Sequence, residues 1–451
     1  MHFTAAPSSD RINACTAGYD AARRQREEFM MNMAVVSLIA LAAAIVLGFV
    51  KKVNVGIVAI AMAYLIGIVY GIGAGKITGG FSSSMAMTMI GVMYLFAIVS
   101  GNGTLELLAK KITGLAGNRR YLLYVAVYAI GAILSGVGPG AIPTLAIVPV
   151  LAIPVALKAG INPILLSLIG QMGAQCVRMC PITPEAVVVA GLMTEQGLDG
   201  NTLPAMWSMW ATELVMIACA FIYFKGWKFD KPLATAAGQG LEEKFSGRQI
   251  LSLAGLGLMI LCVVVFELNV GLISLVIGCG LILLGCADEK KVVRDLPWNT
   301  ILLVLGVGVL MNIVKLSGGV DLLAESITRI SSERTISPMV CGAAGVMSFF
   351  ASGLGVVFPT LIPTVGKIAA GMPGVGPAEL MASVVIGGTV AGFTPISTAG
   401  ALILAGVSQF PEVEETYSQN KMFVQLFVFS IICMLIGVVM AALGVYRVIC
   451  G

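Results

Sequence analysis

The feature that most constrains this chain is a break rich in glycine and proline inside a hydrophobic run. It reads Leu134-Ser135-Gly136-Val137-Gly138-Pro139-Gly140-Ala141-Ile142-Pro143-Thr144. A lipid-facing helix does not accommodate such a stretch, because unpaired backbone groups cost several kcal/mol each in hydrocarbon. The whole chain is 58% hydrophobic and 11% charged, whereas soluble domains carry roughly a quarter charged residues. We therefore expect irregular backbone inside a membrane protein, surrounded by protein or by a water-filled cavity.

A second break of the same kind lies in the other half of the chain, Ala351-Ser352-Gly353-Leu354-Gly355-Val356-Val357-Phe358-Pro359-Thr360. Both breaks open with Ser-Gly-x-Gly and close with Pro-Thr. Other landmarks repeat at nearly the same offset: Asn54–Gly56 recurs as Asn269–Gly271, and Pro181–Thr183 recurs as Pro395–Ser397. So constant an offset indicates an internal duplication. Interrupted segments at matching places in two halves are typical of the binding site of a secondary transporter.

The hydrophobic segments predict an all-α polytopic membrane protein with two inverted repeats, each of five transmembrane helices plus a re-entrant hairpin. A crossing needs about 20 apolar residues, and the runs on either side of each break are shorter. An odd number of crossings per repeat turns the second repeat upside down. The expected boundaries are a polar N-terminal tail at 1–30, a first repeat at 31–225 (hairpin 121–157, broken helix 163–193), a loop at 226–248, and a second repeat at 249–451 (hairpin 338–370, broken helix 378–404).

Basic residues predict the orientation of these segments. When the chain before the first crossing is placed outside, the loops around Lys51, Arg119 and Lys244 fall inside, and the loop with Glu195 falls outside. This arrangement follows the rule that cytoplasmic loops carry the excess of Lys and Arg.

The orientation is testable with single cysteines in a background that lacks reactive native thiols. We expect Gly200→Cys to react with an impermeant thiol reagent added outside the cell, and Gly238→Cys to react only from the inside. The opposite pattern of labelling would invert the predicted topology.

The hairpin tips offer groups that bind ions. Each tip ends in Pro-Thr before a new helical run, so we expect Thr144 and Thr360 at helix N-termini, where free N–H groups and the helix dipole favour a carboxylate. The hydroxyls of Ser135 and Ser352, with the unwound carbonyls beside them, favour a small hard cation. The structural alternative is that these glycines and prolines are kinks and packing positions, which are common in membrane helices.

Charged residues within apolar segments are the other candidates, since such residues are rare and usually functional. Arg178 precedes a capped helix start at Thr183 and can pair with a substrate carboxylate; the alternatives are an ion pair with Glu185 and snorkelling. Glu213 is a candidate for a coupling proton, and a pair with a buried polar partner is its alternative. The predicted substrate contacts are Ser135, Gly136, Thr144, Arg178, Thr183, Ser352, Gly353, Thr360, Ser397 and Thr398, and the predicted ion-coupling residues are Ser135, Ser352 and Glu213.

Several classes of function lack support in the sequence. The only histidine is His2 and the ten cysteines are scattered, so we expect no metal site and no enzyme. There is no ATP-binding motif of the Walker type, and a net charge of +4 gives no support for nucleic-acid binding. We expect no cofactor, although Na⁺ is a candidate coupling ion.

At this point the residues resemble a known family. The order of crossings, hairpins and Pro-Ile-Ser/Thr broken helices is similar to the divalent anion/sodium symporters of the ion-transporter superfamily. The opening Val35-x-x-Leu38-Ile39-Ala40-Leu41, Asn54–Gly56 and Gly355–Thr364 resemble the MatC-like malonate and dicarboxylate carriers. The resemblance implies an elevator mechanism and a homodimer. The symporters carry Ser-Asn-Thr at both tips, whereas here glycine follows Ser135 and Ser352.

We therefore expect a multi-pass carrier of the inner (plasma) membrane. Its partners are the lipid bilayer and a small carboxylate substrate, a C3–C4 dicarboxylate such as malonate or succinate, carried with Na⁺ or H⁺. The alternatives are a cation/proton antiporter or arsenite-type exporter of the same superfamily, and the membrane subunit of a transporter that depends on a binding protein.

Overall fold

The computed structural model describes residues 9–51, 53–104, 107, 111, 119–136, 140–229, 243–266, 268–296, 298–350, 352–395, 397–407 and 419–451. Over these ranges the chain forms helices and contains no β-strand. The prediction of an all-α protein is confirmed for them. The apex of the first hairpin (137–139), Ile396 and most of the loop at 226–248 lie outside the described residues.

The helices before residue 230 are α1 (Ser9–Lys51), α2 (Val55–Tyr70), α3 (Ala74–Thr78), α4 (Ser83–Gly101), α5 (Arg120–Gly136), α6 (Ala141–Ala159), α7 (Pro163–Cys176), α8 (Pro184–Thr194) and α9 (Leu203–Tyr223). The segment predicted as a polar tail, residues 1–30, is helical from Ser9 onward and continues into the first apolar helix without a break.

The helices after residue 242 are α10 (Gly247–Phe266), α11 (Val270–Leu283), α12 (Glu289–Arg294), α13 (Trp298–Leu316), α14 (Gly319–Arg329), α15 (Ile336–Phe350), α16 (Phe358–Leu361), α17 (Val365–Gly371), α18 (Pro377–Val390), α19 (Thr398–Val407), α20 (Gln419–Ala442) and α21 (Val445–Cys450). A π-helical turn spans Gly353–Val357, and 3₁₀ turns span Ile362–Thr364 and Ala391–Phe393.

The sequence predicts ten membrane crossings, and several described helices have the length of one. Four described helical stretches are long and apolar enough, Phe29–Gly48, Leu203–Tyr223, Gly353–Gly371 and Lys421–Ala442, and a fifth is the bent pair Ile301–Leu316 and Gly319–Arg329, whose axes differ by 78°. Three further apolar helices, α4, α6 and α10, have 19, 19 and 20 residues. Twenty residues rise about 30 Å, which is the thickness of a typical hydrocarbon core. The arm Gly353–Gly371 belongs to the predicted hairpin at 338–370 and nevertheless has crossing length.

Two close helix contacts join the first part of the chain to the second. Helix α2 packs on α13 and α4 packs on α11. A methyl group on Gly56 would overlap the carbonyl oxygen of Leu302, and one on Gly306 would overlap that of Gly56. In the other contact, a methyl group on Gly91 would overlap the carbonyl oxygen of Gly271. The separation in sequence between the glycines at 56 and 271 equals that between the glycines at 91 and 306, and it is the offset of the Asn-Val-Gly landmark.

Two side-chain hydrogen bonds also join the two parts of the chain as a matching pair. The hydroxyls of Ser37 in α1 and Ser317 after α13 lie 2.8 Å apart, and Asn102 Nδ2 donates to Ser252 Oγ in α10 at 2.7 Å. Ser37 corresponds to Ser252 in the second part of the chain, and Asn102 corresponds to Ser317. Both pairs have the same separation in sequence as the paired glycines. The helices outside the broken segments are therefore tied together by contacts that come in matching pairs.

The close contact between α4 and α11 predicts that a methyl group at Gly91 lowers the stability of the protein. Gly91→Ala should destabilise the protein by about 1–3 kcal/mol, because the methyl group meets backbone atoms that side-chain rotation cannot move. Gly280→Ala in α11 is the matched control, since nothing lies within 4 Å of a methyl group there. Thermal unfolding of the detergent-purified variants measures the difference, and equal midpoints would show that the α4–α11 contact is not tight.

Candidate functional site

The break between α7 and α8 is built by a local cap. Thr183 Oγ1 accepts a hydrogen bond from Ala186 N at 3.3 Å and lies 2.6 Å from the carbonyl oxygen of Arg178, to which it can donate. Pro184 is the first residue of α8, where its missing N–H leaves no intrahelical bond unmade. The predicted capped helix start at Thr183 is confirmed.

Arg178 lies in this break and is 5% exposed. Its Nη1 donates to Thr389 Oγ1 in α18 at 3.2 Å, and its guanidinium carbon lies 5.3 Å from the ring centre of Phe358. A methyl group on Gly353 would lie 3.8 Å from Nη1. The arginine of the first broken helix therefore sits against the second hairpin, which brings two of the predicted site residues together.

Glu185 is the acidic group that pairs with Arg178. Its Oε1 lies 3.9 Å from Arg178 Nε and accepts a hydrogen bond from Ala141 N, the first residue of α6, at 2.9 Å. A methyl group on Gly140, whose φ is +78°, would overlap the carboxylate. The helix start for which the sequence predicted a substrate carboxylate thus holds a carboxylate of the protein itself, and Arg178 has the partner that the ion-pair alternative named.

The four hydroxyls of the hairpin tips fall into two groups. Thr144 Oγ1 donates to Gly140 O at 3.0 Å, and Ser352 Oγ accepts from Gly355 N at 3.2 Å. In contrast, the buried hydroxyls of Ser135 and Thr360 have no hydrogen-bond partner among the described residues. The first group is engaged in its own helix start, and the second is available for an ion or a substrate.

The remaining predicted residues are more dispersed. Gly136 ends α5, where a methyl group would lie 3.2 Å from Val177 Cγ2. Ser397 directly precedes α19, and Thr398 is the first residue of that helix; the side chain of Thr398 lies outside the described part. Glu213 in α9 is fully buried, and neither carboxyl oxygen has a hydrogen-bond partner in the described ranges. Its electrostatic neighbours are Tyr128, Cys176 and Cys433, not Arg178.

Gln171 is a buried polar residue in an apolar helix, and such residues commonly bridge membrane helices. Its Nε2 donates to Leu145 O in α6 at 3.0 Å and to Ala399 O in α19 at 3.1 Å. One buried amide in α7 therefore joins the first hairpin to the second broken helix.

Sequence reasoning missed a cavity of about 790 Å³ beside the second hairpin. Its walls come from the loop before α4, the end of α8, α13 and the segment Pro359–Ala370, and it includes Asn312, Lys315, Gln196 and Lys367. Lys367 pairs with Asp321 at the start of α14. No local motif marks these residues, because the wall joins segments that are far apart in the chain. All four walls belong to the side that the charge pattern predicts to be outer.

Acidic and metal-binding groups do not form a cluster there. Within the described ranges, no three His, Cys, Asp or Glu side chains come close enough to hold a metal ion.

The cap at Thr183 predicts a loss of stability. Thr183→Val should destabilise the protein by about 0.5–2 kcal/mol, because the start of α8 loses its side-chain acceptor. Thr194→Val is the matched control: Thr194 is exposed and makes one bond, to Gly191 O within its own helix. Thermal unfolding of both variants tests this, and equal losses would contradict a special role of the cap.

Comparison with known proteins finds a family model that matches part of the chain and a solved structure with a similar fold. The family model of the dicarboxylate carrier protein MatC N-terminus matches residues 31–177. No curated protein sequence matches the chain. Among solved structures, the YdaH transporter of Alcanivorax borkumensis is similar over 82% of this chain and 87% of its own, with 13% identity and a TM-score of 0.56. At this identity the similarity concerns the fold.

The family match and the apolar helices together indicate a membrane protein. The resemblance to the MatC-like dicarboxylate carriers, which the sequence predicted, is thereby confirmed, and it rests on residues 31–177.

Proposed function

We propose that this protein is a secondary active transporter of small dicarboxylates of three or four carbons, such as malonate or succinate, in the inner (plasma) membrane. The observation that carries the proposal is a buried arginine with unused hydrogen-bonding capacity where a hairpin meets two broken helices. Arg178 Nε has no hydrogen-bond partner among the described residues. A guanidinium binds a carboxylate through two parallel bonds, so this arginine supports one end of a dicarboxylate.

The family match supports the class of substrate. Residues 31–177, which include the first hairpin and all of α7, match a model named for a dicarboxylate carrier. The match ends one residue before Arg178. The arginine therefore follows directly on the part of the chain that resembles such carriers.

An elevator mechanism with two inverted repeats is part of the proposal. The paired glycine contacts and the paired hydrogen bonds, which share one offset in sequence, support a duplication that includes α1–α4 and α10–α13. These helices form the proposed scaffold. The hairpins and broken helices, joined by Arg178 and Gln171, form the proposed substrate-carrying unit, and a homodimer follows from the resemblance.

The cavity beside the second hairpin supports a route from the outer side. It lies between the proposed scaffold helix α13 and the proposed carrying segments α8 and Pro359–Ala370. Lys315 in its wall attracts anions. Lys367 is balanced by Asp321, and Glu195 adds a negative charge to the wall.

The coupling ion is proposed to be Na⁺ or H⁺. The hydroxyl of Ser135, which has no hydrogen-bond partner among the described residues, supports a small cation. Buried carboxyls such as Glu213 support a proton instead.

Uptake into proteoliposomes tests the proposal. The purified chain should accumulate labelled malonate or succinate when a Na⁺ gradient or a pH gradient is imposed, each separately. Arg178→Lys should weaken uptake sharply while the protein still folds, because a point charge replaces a planar fork. Absence of dicarboxylate uptake, with transport of Na⁺ against H⁺ or of arsenite instead, would assign the chain to the alternative classes. A requirement for an added binding protein would make it a subunit.

The two groups of tip hydroxyls predict different effects on the same assay. Thr360→Val should raise the substrate concentration for half-maximal uptake roughly 10-fold to 100-fold, the value of one hydrogen bond to a charged group. Thr144→Val is the matched control, since its hydroxyl is satisfied by Gly140 O. Equal effects of the two substitutions would remove Thr360 from the site.

A further inference from the structure

We propose that Glu185 is a tethered substitute for a substrate carboxylate: it occupies the start of α6 when no substrate is bound and gives up this place by taking up a proton. The inference rests on the proposed transport of dicarboxylates. It assigns H⁺ as a coupling ion and Glu185 as the group that carries it.

The carboxylate of Glu185 occupies an anion site that is shaped for it. Its Oε1 accepts from Ala141 N at 2.9 Å, at the start of a helix of 19 residues. Gly140 adopts a φ of +78°, and a side chain there would overlap the carboxylate. Backbone N–H groups at a helix start bind any carboxylate, whether it belongs to a side chain or to a ligand.

The pair with Arg178 is incomplete. The two side chains are 6% and 2% exposed, yet Nε and Oε1 lie 3.9 Å apart, beyond the roughly 2.7–2.9 Å of a charge-assisted hydrogen bond. Arg178 Nε and Glu185 Oε2 are both buried and without a hydrogen-bond partner in the described ranges. A buried ion pair that only supports the fold needs its remaining groups satisfied. Here a donor and an acceptor are left for a third group.

The second half of the chain has no ion pair at the corresponding positions. When Pro181 is aligned with Pro395, the positions of Arg178 and Glu185 are held by Gly392 and Ala399. The ion pair therefore belongs to the first broken helix alone, and duplication does not account for it.

Charge balance links the substrate to a proton. Arg178 is the one titratable group acting on Glu185 among the described residues; the other groups facing it are backbone amides of α6 and of its own helix. A dicarboxylate that reaches Arg178 and the start of α6 meets the negative charge of Glu185. Two carboxylates at one helix start repel each other, so substrate and a proton on Glu185 bind together. The proton adds to the carboxylate oxygen, no bond of the substrate changes, and one proton accompanies each substrate.

Proton uptake on binding tests this. Succinate is titrated into the purified full chain in weakly buffered detergent solution, with calorimetry for affinity and a pH indicator for protons. The wild-type protein should take up one proton per substrate, and its affinity should fall as the pH rises. Glu185→Gln keeps the acceptor for Ala141 N and removes the charge. It should bind succinate with no proton uptake, and at high pH at least tenfold more tightly than the wild type.

Proton uptake that persists in Glu185→Gln overturns the inference, and its loss in Glu213→Gln would then assign the proton to Glu213. Should Glu185→Gln not fold, Glu185→Asp serves instead, because its shorter side chain holds the helix start less well. Its affinity for succinate should rise, and an unchanged affinity is contrary to the inference. A wild-type protein that binds no dicarboxylate at all would refute the proposed function rather than the role of Glu185.

Discussion

A buried guanidinium is the group on which the centre of this molecule depends. Arg178 cannot lie in an apolar interior without polar partners nearby. Its Nη1 donates to Thr389 in α18 and to Gln175 in α7, and Glu185 in α8 lies 3.9 Å from its Nε. Phe358 of the second hairpin covers its face. The charge therefore holds the first break, the second hairpin and α18 at one place.

The outer framework relies on the opposite kind of contact, which is uncharged and close. Glycines at 56, 91, 271 and 306 let α2 approach α13 and let α4 approach α11 until backbones touch. Membrane helices gain little from burying apolar surface against one another, so packing of this closeness is a main source of their association. Close packing of backbones stabilises the framework, whereas an ion pair and hydrogen bonds stabilise the centre.

Local features were predictable from the sequence and distant pairings were not. The cap at Thr183 follows from Thr-Pro-Glu in consecutive positions, and the bridging role of Gln171 follows from a polar residue in an apolar helix. The bond from Ala141 to Glu185 joins residues 44 positions apart, and the cavity wall joins still more distant segments, so neither leaves a local pattern.

The amide of Gln171 has a mechanical consequence. Both of its hydrogens are donated, one to a carbonyl of α6 and one to a carbonyl of α19. Separating these helices would leave two carbonyls and an amide without hydrogen bonds in the apolar interior, which costs several kcal/mol of free energy. The first hairpin and the second broken helix are therefore coupled as one rigid body, and any large displacement of one carries the other with it.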